Sequence, residues 1–81
     1  MKVLDGDGFA VYIYDNEHPP PHCHIIYANK RKVVVGLPFL NGMYGATVDR
    51  SLKKYLTENL DTLTETWEEK HPNKWKETDD K

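Results

Sequence analysis

The first half of the chain carries β-branched and aromatic residues in short runs, which is typical of β-strands. Glycine, proline, asparagine and aspartate bound these runs and mark turns between them. The runs are residues 9–14 (FAVYIY), 22–27 (HCHIIY) and 31–37 (RKVVVGL). Because only a short turn separates the second run from the third, we expect these two strands to pair as an antiparallel hairpin.

Two other stretches of this half are less regular. Residues 15–21 (DNEHPPP) contain three prolines, which remove backbone donors and favour extended geometry, so a stiff connector is expected there. Residues 40–47 (LNGMYGAT) contain Asn41-Gly42, a pair typical of hairpin turns. This second stretch therefore predicts either a short fourth strand or an ordered loop.

The second half of the chain changes to a helical period. Leucines and a tryptophan recur at steps of four, four, three and four residues, which indicates one apolar stripe along a helix. The stripe consists of Leu52, Leu56, Leu60, Leu63 and Trp67. Asp49 or Thr47 can cap the start of this helix, and the His71-Pro72 pair predicts its end. A break near Asn59–Asp61 stays open as an alternative to one continuous helix.

Together these elements predict a small α+β domain over residues 1–71. We expect a three- to four-stranded antiparallel sheet with one long C-terminal helix packed on one face. Residues 72–81 are polar apart from Trp75 and predict a peripheral C-terminal tail.

Length and charge narrow the classes of protein. The chain of 81 residues has room for one core, and its formal net charge of −2 argues against general capture of nucleic acid. Its single cysteine, Cys23, cannot form an intramolecular disulfide. The first fifteen residues resemble neither a signal peptide nor a transit peptide, and no run is apolar enough for a membrane span. We therefore expect a cytoplasmic protein without membrane association.

The stretch HPPPHCH at residues 18–24 suggests metal chemistry. On a strand, His22 and His24 point the same way with Cα atoms about 6.5–7 Å apart, so both imidazoles can reach one zinc ion. His18 can be a third ligand only if the proline run turns, because an extended connector would place it about 12 Å from His22. Asp15 and Glu17 are alternative oxygen ligands.

Other interpretations of the same histidines stay open. Half-buried rings on a sheet can simply donate to backbone carbonyls and have a structural role. A histidine can also act as a general acid or base without metal, because its proton affinity lies near neutral pH.

A third hypothesis concerns nucleic acid. The predicted strands carry Tyr12, Tyr14 and Tyr27 near the basic cluster Lys30, Arg31 and Lys32. Such a patch with neighbouring tyrosines could bind the phosphates and stack the bases of RNA.

The central motif is similar to that of a known family. A strand of aromatic and β-branched residues leads into an acidic-His-x-Pro-Pro-His-x-His core, and a late tryptophan follows on the C-terminal helix. The matching residues of the core are Glu17, His18, Pro20, Pro21, His22 and His24. The chain thus resembles a small bacterial family catalogued as domain of unknown function 4160, from about Phe9 to His71. Pro19 and Cys23 depart from the residue types usual in that pattern.

The resemblance implies short proteins often encoded beside another small protein, as in toxin–antitoxin or phage-defence modules. From it we expect a cytoplasmic protein-interaction module with a small protein partner, binding through Glu17, His18, His22, His24 and Tyr27. The alternatives are a histidine- or metal-dependent hydrolase of ribonuclease type that uses His22 and His24, with zinc as the candidate cofactor, and a nucleic-acid binder. The sequence therefore leaves open whether the protein is an enzyme.

Overall fold

The molecule is an α+β fold in which five strands form one antiparallel sheet and two helices follow. The computed structural model describes residues 2–15, 17 and 20–71. The elements are β1 (Lys2–Asp5), β2 (Phe9–Tyr12), β3 (His22–Tyr27), β4 (Lys32–Gly36), β5 (Gly42–Met43), α1 (Arg50–Glu58) and α2 (Leu60–Lys70). The strands lie in chain order, each beside the next. The α+β class and the antiparallel sheet are therefore confirmed, whereas the number of strands and the single helix are not.

The sheet contains a strand that the sequence prediction missed. β1 pairs with β2 through Leu4 opposite Val11 and Asp5 opposite Ala10. Gly8 occupies the left-handed region (φ 86°) in the turn between these strands, a conformation that glycine adopts without a steric penalty. The prediction of three to four strands was wrong because four residues before a glycine turn carry little periodicity. The expected short fourth strand exists as β5.

The turn before β5 lies earlier than predicted. The Leu40 amide donates to the Gly36 carbonyl and the Gly36 amide to the Asn41 carbonyl, each at 2.8 Å, so the chain reverses over residues 37–40. Pro38 cannot donate to a strand partner and ends β4 there. The Asn41-Gly42 pair was therefore wrongly predicted as the turn, since Gly42 already belongs to β5.

The predicted long helix is divided at Asn59. The side-chain amide of Asn59 donates to the Tyr55 carbonyl at 2.8 Å, which is the acceptor that its backbone amide would use in a continuous helix. The backbone amide of Asn59 instead donates to the Leu56 carbonyl, one residue closer, at 3.2 Å. Asparagine competes with the helix backbone in this way. The single long helix is therefore not matched, and the division lies at Asn59, within the stretch Asn59–Asp61 where the sequence left a break open.

The core lies between the helices and one face of the sheet. Buried side chains from both layers form one cluster: Val11, Ile13, Cys23, Ile25, Val33, Val35, Leu37, Leu40, Leu52, Leu56, Leu63 and Trp67. Four of the five predicted stripe residues are thus buried, and Leu60, beside the break, is half-buried. Asp49 caps α1 as predicted, accepting from the Leu52 amide at 2.8 Å.

The opposite face of the sheet is half-buried, apart from His22, which is buried beside the Trp67 ring of α2. Strand pairing places six half-buried residues on it: Ala10, Tyr12, His24, Ile26, Val34 and Met43. Within the described residues, neither helix has the length and apolar character that a membrane span requires. The predicted tail, residues 72–81, and His18 lie outside the described residues.

Candidate metal centre

The side chains of β3 alternate between the two faces of the sheet. Cys23 and Ile25 point into the core and are fully buried. His22 and His24 point the other way, with ring centroids 5.1 Å apart. Cys23 therefore points away from the histidines. Burial also raises the pKa of its thiol to about 12, so the thiol does not readily become a thiolate ligand.

Glu17 completes a cluster with the two histidines. Its Oε1 atom lies 2.5 Å from His24 Nε2 and 3.4 Å from His22 Nε2. One ligand atom from each of the three residues lies within 4.8 Å of the other two. Two imidazole nitrogens and one carboxylate oxygen form a donor set typical of catalytic zinc sites.

The Pro20 carbonyl sets the tautomer of His22. His22 Nδ1 lies 2.8 Å from the Pro20 carbonyl oxygen, which can only accept, so Nδ1 carries the proton. In the neutral ring, Nε2 then presents a lone pair toward Glu17 Oε1, which is itself an acceptor. Metal-binding histidines in proteins are commonly oriented in this way, by a hydrogen bond from the other ring nitrogen to a carbonyl.

Glu17 is ionised at neutral pH. Partial burial raises the pKa of its carboxyl. The hydrogen bond from His24, the positive charge of His24 and His22 when protonated, and a hydrogen bond from His22 outweigh this effect and hold the pKa below its ordinary value. The side chain is 28% exposed, so the carboxylate is shielded but still reached by solvent. The cluster therefore combines a negative charge with two imidazole nitrogens that can coordinate a metal ion.

Aromatic rings border the cluster on two sides. The Trp67 ring from α2 lies 5.1 Å from the His22 ring, and the Tyr14 ring lies 4.8 Å from that of His24. Tyr14 also stacks with Tyr12 at 6.0 Å, and 36% of its surface is exposed. These rings lower the local polarity, which strengthens electrostatic interactions with a bound cation.

The other candidate residues lie elsewhere. Tyr27 is at the far end of β3 and packs against Phe9, with ring centroids 5.7 Å apart. The Arg31 guanidinium lies over the Tyr27 ring at 5.6 Å. Asp15 forms an ion pair with Lys70 at 3.2 Å rather than joining the histidines.

The basic cluster is exposed and belongs to the opposite end of β3. Lys30, Arg31 and Lys32 are all exposed in the hairpin between β3 and β4. Nucleic-acid binding through these residues stays a prediction, and they contribute nothing to the Glu17, His22 and His24 cluster.

His71 belongs to this region, although the sequence pattern predicts it only as the end of the helix. It accepts a hydrogen bond from the Glu17 backbone amide at 3.1 Å. The signal available was its spacing of four residues from Trp67, which places both rings on one side of a helix.

A family model matches most of the chain. The family model described as a domain of unknown function, DUF4160, matches residues 8–68, three quarters of the chain. The chain belongs to the DUF4160 family. The match includes Glu17, His22 and His24 and ends three residues before His71. No curated protein and no solved structure matches the chain.

Proposed function

We propose that this DUF4160 protein binds zinc through Glu17, His22 and His24 and uses it in hydrolysis. The observation that carries the proposal is the convergence of Glu17 Oε1 with the Nε2 atoms of His24 and His22, at 2.5 and 3.4 Å. In the neutral His22 ring, donation through Nδ1 to Pro20 leaves the Nε2 lone pair facing Glu17 Oε1. Two acceptors in this position are stabilised by a cation or a proton between them.

The distances support zinc as the cation. With bonds of about 2.1 Å, two ligands of a tetrahedral zinc ion are about 3.4 Å apart. The His22 to Glu17 separation has this value already. The His24 to Glu17 separation of 2.5 Å is that of a hydrogen bond, so the His24 proton would leave and the two atoms would separate by about 1 Å on metal binding.

A zinc ion held by Glu17, His22 and His24 would supply a nucleophile near neutral pH, because zinc lowers the pKa of water that it binds. In hydrolysis of a phosphodiester, the oxygen of that water would bond to phosphorus as the bond between phosphorus and the leaving oxygen breaks, and a proton from the water would go to the leaving oxygen. The arrangement therefore favours the metal-dependent hydrolase among the hypotheses raised by the sequence.

The surroundings favour single-stranded RNA as the substrate class. The exposed Tyr14 ring lies next to His24 and stacks with Tyr12, which gives a flat aromatic surface beside the cluster. Bases of single-stranded nucleic acid stack on such rings without strong sequence preference. A base on Tyr14 would place its neighbouring phosphate close to the metal.

Cleavage of a labelled single-stranded RNA by metal-free and zinc-loaded protein tests the proposal. We expect cleavage only with zinc, and its loss in Glu17→Gln. Glu65→Gln, which makes the same change at an exposed position of α2, is the matched control and should cleave like wild type. Equal cleavage with and without zinc would contradict the proposal.

Binding of a small protein partner is a second candidate function. It is favoured by two large side chains in the loops on either side of β5, since Phe39 is 82% exposed and Tyr44 is 85% exposed. Exposed aromatic residues of this kind are common at protein interfaces. Co-purification from native cells, compared between wild type and a Phe39→Ser, Tyr44→Ser variant, tests this function and the two-gene context implied by the family.

A further inference from the structure

The end of α2 contacts the loop that carries Glu17. The Glu17 backbone amide donates to His71 Nε2 at 3.1 Å, across 54 positions of the chain. The ring of His71 donates through Nδ1 to the Trp67 carbonyl at 3.0 Å. Since a neutral imidazole has one donor and one acceptor nitrogen, both bonds are satisfied by a single tautomer.

The His71 ring is also held by stacking. It lies on the Trp67 ring with centroids 3.7 Å apart and planes inclined by 16°. Trp67 is itself only 5% exposed and contacts the His22 ring. His71 Nε2, which accepts the hydrogen bond from the Glu17 amide, is therefore held in place by contacts with the core.

A second contact joins the same two segments. Lys70 forms an ion pair with Asp15 at 3.2 Å. Asp15 is largely exposed, so this pair contributes little to stability by itself. It does show that the last turn of α2 meets the segment before Glu17 at more than one point.

We propose that His71 is a positioning residue: it fixes the Glu17 backbone so that the carboxylate reaches both His22 and His24. A glutamate outside regular structure has many backbone and side-chain states, and a fixed backbone removes much of that freedom. The inference deepens the proposed function and rests on it where it concerns zinc. It couples the site to the end of α2, and such coupling is reciprocal, so bound metal must also hold the end of α2 in place.

Three variants of the full chain separate the role of His71 as a hydrogen-bond acceptor from its stacking on Trp67. His71→Gln keeps an acceptor that can reach the Glu17 amide. His71→Phe keeps a flat ring on Trp67 but has no acceptor, and His71→Ala has neither. We expect zinc affinity, measured by competition with a chelator, to fall about 10-fold in the Phe and Ala variants, at the low end of the range for residues that orient metal ligands. The Gln variant should stay within about 3-fold of wild type.

A merely structural role of the His71 ring predicts the reverse order. The Phe variant would then bind zinc like wild type, and the Gln variant would bind weakly. That result would overturn the inference. The comparison of Gln with Phe remains decisive even if the Ala variant does not fold.

A second measurement keeps this inference distinct from the zinc proposal. In metal-free protein, the ¹⁵N signal of His24 Nε2 reports its hydrogen bond to Glu17. We expect the Phe variant to shift this signal toward its position in Glu17→Gln, while the Gln variant leaves it in place. If wild type binds no zinc but these shifts occur, the proposed function fails and the positioning role stands. An unmoved signal in the Phe variant would overturn the positioning role.

Discussion

The two faces of β3 differ in what they do, although their residues alternate along a single strand. Cys23 and Ile25 are fully buried under the helices, whereas His22 and His24 meet Glu17 on the other side. Side chains on a strand alternate with period two, so one step along the chain changes a core position into a site position. Substitutions at adjacent residues should therefore affect different properties of the protein.

The largest effect on stability is expected where the helices cover the core face. Leu56 is fully buried, and Leu56→Ala should lower the free energy of unfolding by about 2–5 kcal/mol. Urea denaturation measures this loss. Thr57→Ala, the adjacent exposed position, is the control and should change stability by less than about 1 kcal/mol. A loss below about 1 kcal/mol in Leu56→Ala would mean that α1 does not cover the core.

A smaller effect on stability is expected when neighbouring residues of β3 that point to opposite faces are substituted. Cys23→Ser places a hydroxyl in the apolar core and should destabilise the protein by about 1–3 kcal/mol while leaving zinc affinity unchanged. His24→Ser should do the opposite, weakening zinc binding by at least about 10-fold with a smaller loss of stability in metal-free protein. Equal losses of stability in both variants, with equal zinc affinity, would remove the distinction between the faces.

The smallest effect concerns the acid dependence of stability. Because the folded protein holds the pKa of Glu17 below its ordinary value of 4.5, the folded state favours the ionised carboxylate. This contribution is present above pH 4.5 and is lost as the pH falls through the lower folded value. Glu17→Gln removes it. Stability measured against pH should therefore fall less steeply below pH 4.5 in this variant than in Glu65→Gln, and identical profiles would contradict the role of Glu17.

Much of the fold followed from periodicity, because a helical stripe and alternating strands leave regular marks in a sequence. β3 has the predicted bounds, and four stripe leucines and Trp67 lie on the helices at the predicted positions. A break near Asn59–Asp61 was left open by the sequence, and it is decided by the side-chain hydrogen bond from Asn59 to Tyr55, which spacing does not reveal. β1 is too short to show a period, and its pairing with β2 depends on a glycine turn.

The candidate site was predictable only in part. The same-side placement of His22 and His24 follows from strand geometry alone, and Glu17 was one of two candidate carboxylates beside Asp15. Two tertiary contacts decide that Glu17, and not Asp15, joins the histidines. Lys70 pairs with Asp15, and His71 holds the Glu17 backbone. The tautomer of His22 likewise depends on where the Pro20 carbonyl points. Contacts between distant segments of this kind leave no periodic signal.

Titration of metal-free protein with zinc, followed through the histidine ring signals, tests the central claim most directly. We expect His22 and His24 to shift together, with saturation at one zinc per chain and with loss of the coupled shift in Glu17→Gln. Binding should weaken as the pH falls, because protons compete with zinc for the imidazole nitrogens. Ring signals of His22 and His24 that do not move at millimolar zinc would contradict the account.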